Sequence, residues 1–236
     1  MKINHTYHSP NFGPRPKTVD INMLLLHYTG MQTGKEALER LCDSAAQVSA
    51  HYLIEEDGEI FQLVPEEHRA WHAGLAYWHD ETDINSCSIG IEIVNPGHEW
   101  GYRPFPTAQM KAVATLSKEI LERHSIPSHR VLAHSDVAPE RKEDPGELFD
   151  WIYLANQGIG VFPDGTAQSS PIAEDSFVLK LGEYGYKVDI KSPTGSVTKA
   201  AIIAFQRHFR PSKLNGEIDQ ECCQILADLY SQLDDS

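Results

Sequence analysis

Two short apolar stretches constrain this chain more tightly than anything else in it. VDINMLLLHYTG is apolar from Ile21 to Leu26 with one Asn, then stops at Thr29-Gly30. SIGIEIVNPG alternates, with Ile89, Ile91 and Ile93 on one face and Gly90, Glu92 and Val94 on the other. A short apolar run bounded by turn residues reads as a buried strand, and strict alternation reads as a strand with two different faces. Between and after them the period changes to that of helices. Thr33 and Glu36 have capping-box spacing ahead of Leu38, Leu41, Cys42 and Ala45, which predicts a helix from about Gly34 to Ala46. AHYLIEEDGEIFQLVP predicts two strands around Asp57-Gly58. Thr107 is the expected N-cap of a helix whose stripe is Met110, Val113, Ala114, Ser117, Ile120 and Leu121. RVLAHSD is a further short strand ending at a histidine, and ELFDWIYLANQGIG a short closing helix. Alternating strands and helices with one hairpin imply an α/β fold, a mixed central sheet flanked by helices.

PDGTAQSSP then reads as a linker. Three helical patterns follow it: Phe177 to Leu181, Thr198 to Phe209 and Asp219 to Leu233. The expected organisation is a catalytic unit over 1–162, a linker over 163–172, and a small all-α three-helix domain over 173–236. Everything singled out below for chemistry precedes Pro163, so the helical domain is expected to aid binding rather than reaction.

Charge and length exclude several classes. With 34 acidic and 20 basic residues the formal charge is −14, which disfavours a nucleic-acid partner. No apolar run is long enough to span a membrane. The opening MKINHTYHSPNFGPRP has no apolar stretch after its lysine and does not read as a secretory signal peptide. The four cysteines (Cys42, Cys87, Cys222 and Cys223) follow no metal or disulfide spacing and read as small buried apolar residues.

Histidine is the informative residue. Eleven of twelve lie at or before His134, and only His208 falls in the last hundred residues. His27 follows the run Met23–Leu26, and His134 follows Val131–Ala133, so both imidazoles are expected at strand ends, rigid places for a site. Asp144 precedes Pro145, which restricts its backbone to extended conformations. Two imidazoles and one carboxylate with a fourth position open make a catalytic zinc set. Glu92 lies mid-strand between two isoleucines, where a carboxylate needs a polar cavity. Its expected task is to take a proton from water. Lys142, two residues before Asp144, is expected to face a developing oxyanion.

The blocks LLLHYTG, VSAHYLIEEDGEIFQLVPE, AWHAG, NSCSIGIEIVN and AHSDVAPERKEDPGELFDW occur in this order. Together, from about Met23 to Trp151, they resemble the type 2 zinc N-acetylmuramoyl-L-alanine amidases, which include peptidoglycan recognition proteins. The resemblance implies one zinc per chain held by His27, His134 and Asp144, with Glu92 as acid/base and Lys142 stabilising the tetrahedral intermediate. It also implies that His51, Trp71, His72 and Asn85 contact substrate or support the metal ligands. Trp71 and Tyr52 read equally well as core aromatics. The stretch from Leu181 to Leu229 resembles a peptidoglycan-binding three-helix domain, through its GY, AIIAFQRHF and ID blocks. The implied reaction is hydrolysis of the amide between N-acetylmuramic acid and L-alanine, with no organic cofactor. The implied place is the bacterial envelope rather than the cytoplasm. Two alternatives stay open: a peptidoglycan-binding protein without activity, and a zinc peptidase acting on stem peptides.

Overall fold

A computed structural model describes residues 2–163, 165 and 170–234. The chain runs through β1 (Ile3–Asn4), β2 (Phe12–Pro14), β3 (Met23–Tyr28) and α1 (Gly34–Cys42), then β4 (Tyr52–Ile54), β5 (Ile60–Gln62) and β6 (His68–Ala70). It continues with α2 (Ile84–Cys87), β7 (Ser88–Ile93), α3 (Gly97–Trp100), α4 (Thr107–His124), β8 (Val131–Ala133), α5 (His134–Val137) and α6 (Trp151–Asn156). Three helices close it: α7 (Phe177–Tyr184), α8 (Ser196–Phe209) and α9 (Gln220–Asp234). The six-stranded sheet has the order β1-β5-β4-β7-β3-β8. Only the β4–β5 hairpin is antiparallel, so the sheet is mixed, as expected. A separate ribbon pairs β2 with β6. Its strands, like β1, are two or three residues long, too short to leave a period in the sequence.

The elements form for local reasons. Thr33 and Glu36 close the expected capping box on α1, each side chain accepting the other's backbone N–H at 3.2 Å. Thr107 is not the cap of α4. Extended Pro106 occupies that position without a side-chain bond, and Thr107 is already helical. Proline's fixed φ sets the entry one residue earlier than the hydroxyl pattern predicts.

The alternation along the strands sorts the core. Leu24 and Leu26 of β3 pack with Ile89, Ile91 and Ile93 of β7 against Val113, Leu116 and Ile120 of α4. Met23 and Leu25 face the other way, into a cluster with Leu132 and with Phe177, Phe205 and Leu226 of the helical segment. The three C-terminal helices therefore cover one face of the sheet, and their core is continuous with the catalytic unit's. Trp78 stands edge-on to Tyr184 and Tyr186 across this junction. Of the expected linker 163–172, residues 164 and 166–169 lie outside the described residues.

Candidate metal centre

His27 is the fifth residue of β3, one short of its end. In the parallel pairing of β3 with β7 its register partner is Glu92, so both side chains leave the same face of the sheet. His134 opens α5 directly after β8. Asp144 lies ten residues on, its carbonyl accepting the backbone N–H of Ser135 at 3.0 Å. The three side chains meet: the Nδ1 atoms of His27 and His134 are 2.9 Å apart, and Asp144 Oδ2 lies 3.1 and 3.0 Å from them. All three residues are buried. The two histidines and the aspartate that the sequence singles out are the metal-capable cluster among the described residues.

Their outer hydrogen bonds explain why the Nδ1 atoms point inward. His134 Nε2 donates to the carbonyl of Ala73 at 3.0 Å, so its Nδ1 carries a lone pair. His27 Nε2 donates to His72 Nδ1 at 3.0 Å, His72 Nε2 faces Ser88 Oγ at 3.3 Å, and Ser88 donates onward to the Ile84 carbonyl at 2.6 Å. That chain gives His27 the same tautomer. One side chain supports both arms. Asn85 Oδ1 accepts the backbone N–H groups of His72 and Ala73 at 3.0 and 2.8 Å. His72 seats against Gly90, where a Cβ would come within 2.5 Å of its ring, so only glycine fits.

The electrostatics follow. Burial, with the neighbouring His134 adding to it, lowers His27 to about 4. Burial, then His27, holds His72 well below the ordinary range. Burial opposes ionisation of Asp144, but the adjoining His134 ring, then His27, outweighs it and keeps the carboxyl well below its usual value. Two lone pairs and an anionic oxygen thus converge on one point. They repel each other unless a cation lies between them, and an N₂O set with room for another ligand fits zinc.

Glu92, Lys142 and Trp71 line the cleft above this point, a cavity of about 310 Å³ whose walls include Tyr28, His72 and Leu41. Glu92 Oε2 is buried with no hydrogen-bond partner among the described residues. Burial chiefly, and the Asp144 charge next, push its pKa well above the usual value, while Lys142 opposes the rise. That is the profile of a carboxylate poised to exchange a proton.

The remaining sequence candidates divide. His72 and Asn85 hold the histidines in the way just described. His51 is buried apart from the cleft: its Nδ1 accepts from Gly90 N–H at 2.9 Å and its Nε2 faces the His68 carbonyl at 3.1 Å. Burial, then the nearby Arg15, lowers its pKa to about 3. Tyr52 is buried and donates to Glu66 at 2.7 Å, a core role. Sequence reasoning missed Arg15, whose guanidinium donates to the carbonyls of Glu66, Asn85, Ser86 and Ser88 at 2.8–3.0 Å and so ties α2 and the start of β7 to the turn before β6. It also missed Asp136. This buried carboxylate accepts from Ala133 N–H, Tyr186 Oη and His208 Nδ1, each at 2.7 Å. The solitary late histidine, His208, was the available signal.

Comparison with known proteins bears on this geometry. Residues 17–147 match the N-acetylmuramoyl-L-alanine amidase family. The chain is 40% identical over 237 residues to N-acetylmuramoyl-L-alanine amidase AmiD of Escherichia coli K12, covering 90% of this chain and 84% of that one. A structure of the E. coli AmiD in complex with anhydro-N-acetylmuramic acid-L-Ala-D-γ-Glu-L-Lys superposes with a TM-score of 0.78 at 37% identity over 92% of both chains. AmpDh3 from Pseudomonas aeruginosa superposes with a TM-score of 0.80 at 30% identity over 99% of both.

Proposed function

The chain belongs to the N-acetylmuramoyl-L-alanine amidase family and is such an amidase; on that premise we propose how its residues divide the work. The observation that carries the reading is the convergence of His27 Nδ1, His134 Nδ1 and Asp144 Oδ2 beside Glu92. These three residues would hold one zinc per chain. When bound, zinc supplies a Lewis acid that polarises the scissile carbonyl and makes water acidic near pH 7. Glu92 takes the proton of the attacking water and delivers it to the leaving amine nitrogen. Lys142 directs its ammonium at the oxygen that gains negative charge as the carbonyl carbon becomes tetrahedral. Trp71 and Tyr28 offer aromatic walls for the sugar and peptide. The C–N bond between the lactyl carbonyl and L-alanine breaks, giving a muramic acid carboxylate and a stem peptide with a free N-terminus.

The substrate class follows from the relatives. AmiD binds a muramoyl stem that carries D-γ-Glu, and the same class of fragment is the substrate proposed here. The helical segment from 173 onward is proposed to grip peptidoglycan, which suits action in the bacterial envelope. No helix among the described residues is long and apolar enough to cross a membrane. The test is digestion of purified wall and of a muramoyl tripeptide, with mass analysis of the products and metal analysis of the same preparation. Stem peptides beginning with L-alanine, with one zinc per chain, are expected. Cuts within the stem would favour the peptidase reading, and full activity without metal would remove zinc from it.

A further inference from the structure

A second cavity, of about 540 Å³, opens between the loop 139–144 and helix α8. It shares Tyr28, Lys142 and Asp144 with the catalytic cleft, so the two adjoin. Its far wall is Ala200, Ile203 and Arg207, all on α8. The Arg207 side chain is only 10% exposed. Its Nε is buried with no hydrogen-bond partner among the described residues. The nearest carboxylates, Glu143 and Glu147, stand at 3.7 and 3.8 Å, which is attraction but not hydrogen bonding. The Glu147 oxygen is already engaged by His98 Nε2 at 3.1 Å. Three residues on, Arg210 also leaves its Nε unpartnered, but its Nη1 donates at 2.7 Å to both carboxylate oxygens of Asp219, a close anion that Arg207 lacks. A guanidinium so enclosed ordinarily donates to a planar anion, at best through two parallel N–H groups.

We propose that this groove binds the peptide stem of the substrate and that Arg207 receives one of its carboxylates. The inference rests on the amidase reading. It adds a specificity-determining residue from the helical segment to a reaction carried out on the sheet. A γ-linked glutamate leaves its α-carboxylate free two residues beyond the scissile amide, and the stem ends in another carboxylate. Either one matches the fork.

The experiment measures kcat and KM of the full, zinc-loaded chain on three muramoyl tripeptides: the free acid, one amidated at the glutamate α-carboxyl, and one amidated at the C-terminus. Wild type and Arg207→Gln are compared on each. One amidation is expected to raise KM of the wild type about tenfold or more, the scale of a hydrogen bond to a charged group. Arg207→Gln should raise KM similarly on the free acid and be indifferent to that same amidation, which identifies the carboxylate contacted. Arg207→Lys keeps the charge without the fork and should restore only part of the affinity; it also serves if the glutamine variant folds poorly. Additive losses on every substrate, or an unchanged KM, would overturn the proposal and leave Arg207 as a neighbour of Glu143 and Glu147. If the wild type releases no stem from any of the three, the amidase reading fails and the proposal falls with it.

Discussion

His27 stands on a strand paired with β7 on one side and β8 on the other, whereas His134 stands on α5, a single turn of helix. The first is oriented by His72, Ser88 and Ile84, all within the sheet unit. The second begins a turn whose Asp136 is bonded to Tyr186 and His208, residues of the C-terminal helices. His208 is in turn stacked on Trp151 at 3.7 Å between ring centres. One arm of the donor set is thus supported by its own sheet, and the other borrows support from a segment that sequence reasoning assigned to wall binding. A short turn has too few hydrogen bonds of its own to hold a ligand rigidly, so a buried partner from elsewhere has more to contribute.

The severest test of the pair is Asp144→Ala, because this carboxylate touches both arms. Metal and turnover are expected to vanish together, read by elemental analysis and stem release on one preparation; zinc retained at full occupancy would break the assignment. Next comes Glu92→Ala, which probes the sheet arm without removing a ligand. A fall in kcat of about 100-fold or more is expected, with zinc content and Tm preserved. Near-normal kcat would take Glu92 out of the reaction.

The comparison itself is sharpened by His208→Ala. Losing a buried bond to Asp136 should cost about 2 kcal/mol, lower Tm by about 6 °C and weaken zinc binding about tenfold. Ser88→Ala, the matching cut on the His27 side, should leave the contacts of the C-terminal helices untouched. A chain ending near Gly165 carries the same question further. The sequence alone leads one to expect continued cleavage of small muropeptides, whereas the contacts to Asp136 lead one to expect incomplete zinc loading. A truncated chain that folds, loads fully and cuts would erase the difference between the two arms.

The smallest effect is on pH dependence. Lys142→Ala removes a side-chain charge that favours ionised Glu92, so Glu92 should lose its proton at a higher pH. The acid limb of kcat/KM is expected to move upward, together with a loss of kcat. A downward shift would mean that the limb reports another group.

The two histidines could be read from the sequence because they follow apolar runs whose end-points are visible, and Asp144 because it precedes a proline. Glu92 was legible for a related reason, as a carboxylate out of place between isoleucines. Asp136 was not. It lies among other polar residues in HSDV, and its meaning depends on Tyr186 and His208, fifty and seventy-two positions later. Arg15 was hidden likewise, since four of its partners are backbone carbonyls, which carry no residue identity. The three-helix segment was visible through its periods, but its shared core with Met23 and Leu25 was not, because a strand's two faces do not say what covers them.

The pairing of His27 with Glu92 has a consequence for how such a chain tolerates change. Their separation across the ladder is set by strand spacing, about 4.8 Å, a length the backbone fixes for every sequence. Insertions and deletions in the long excursion between the two strands leave that length untouched. A one-residue slip in β7 would turn Glu92 onto the isoleucine face, and one in β3 would turn His27 onto the face of Leu24 and Leu26; either abolishes the pair outright. Loops around the cleft are therefore free to drift and to acquire new preferences, while the distance between ligand and base behaves as a ruler that is either kept whole or lost.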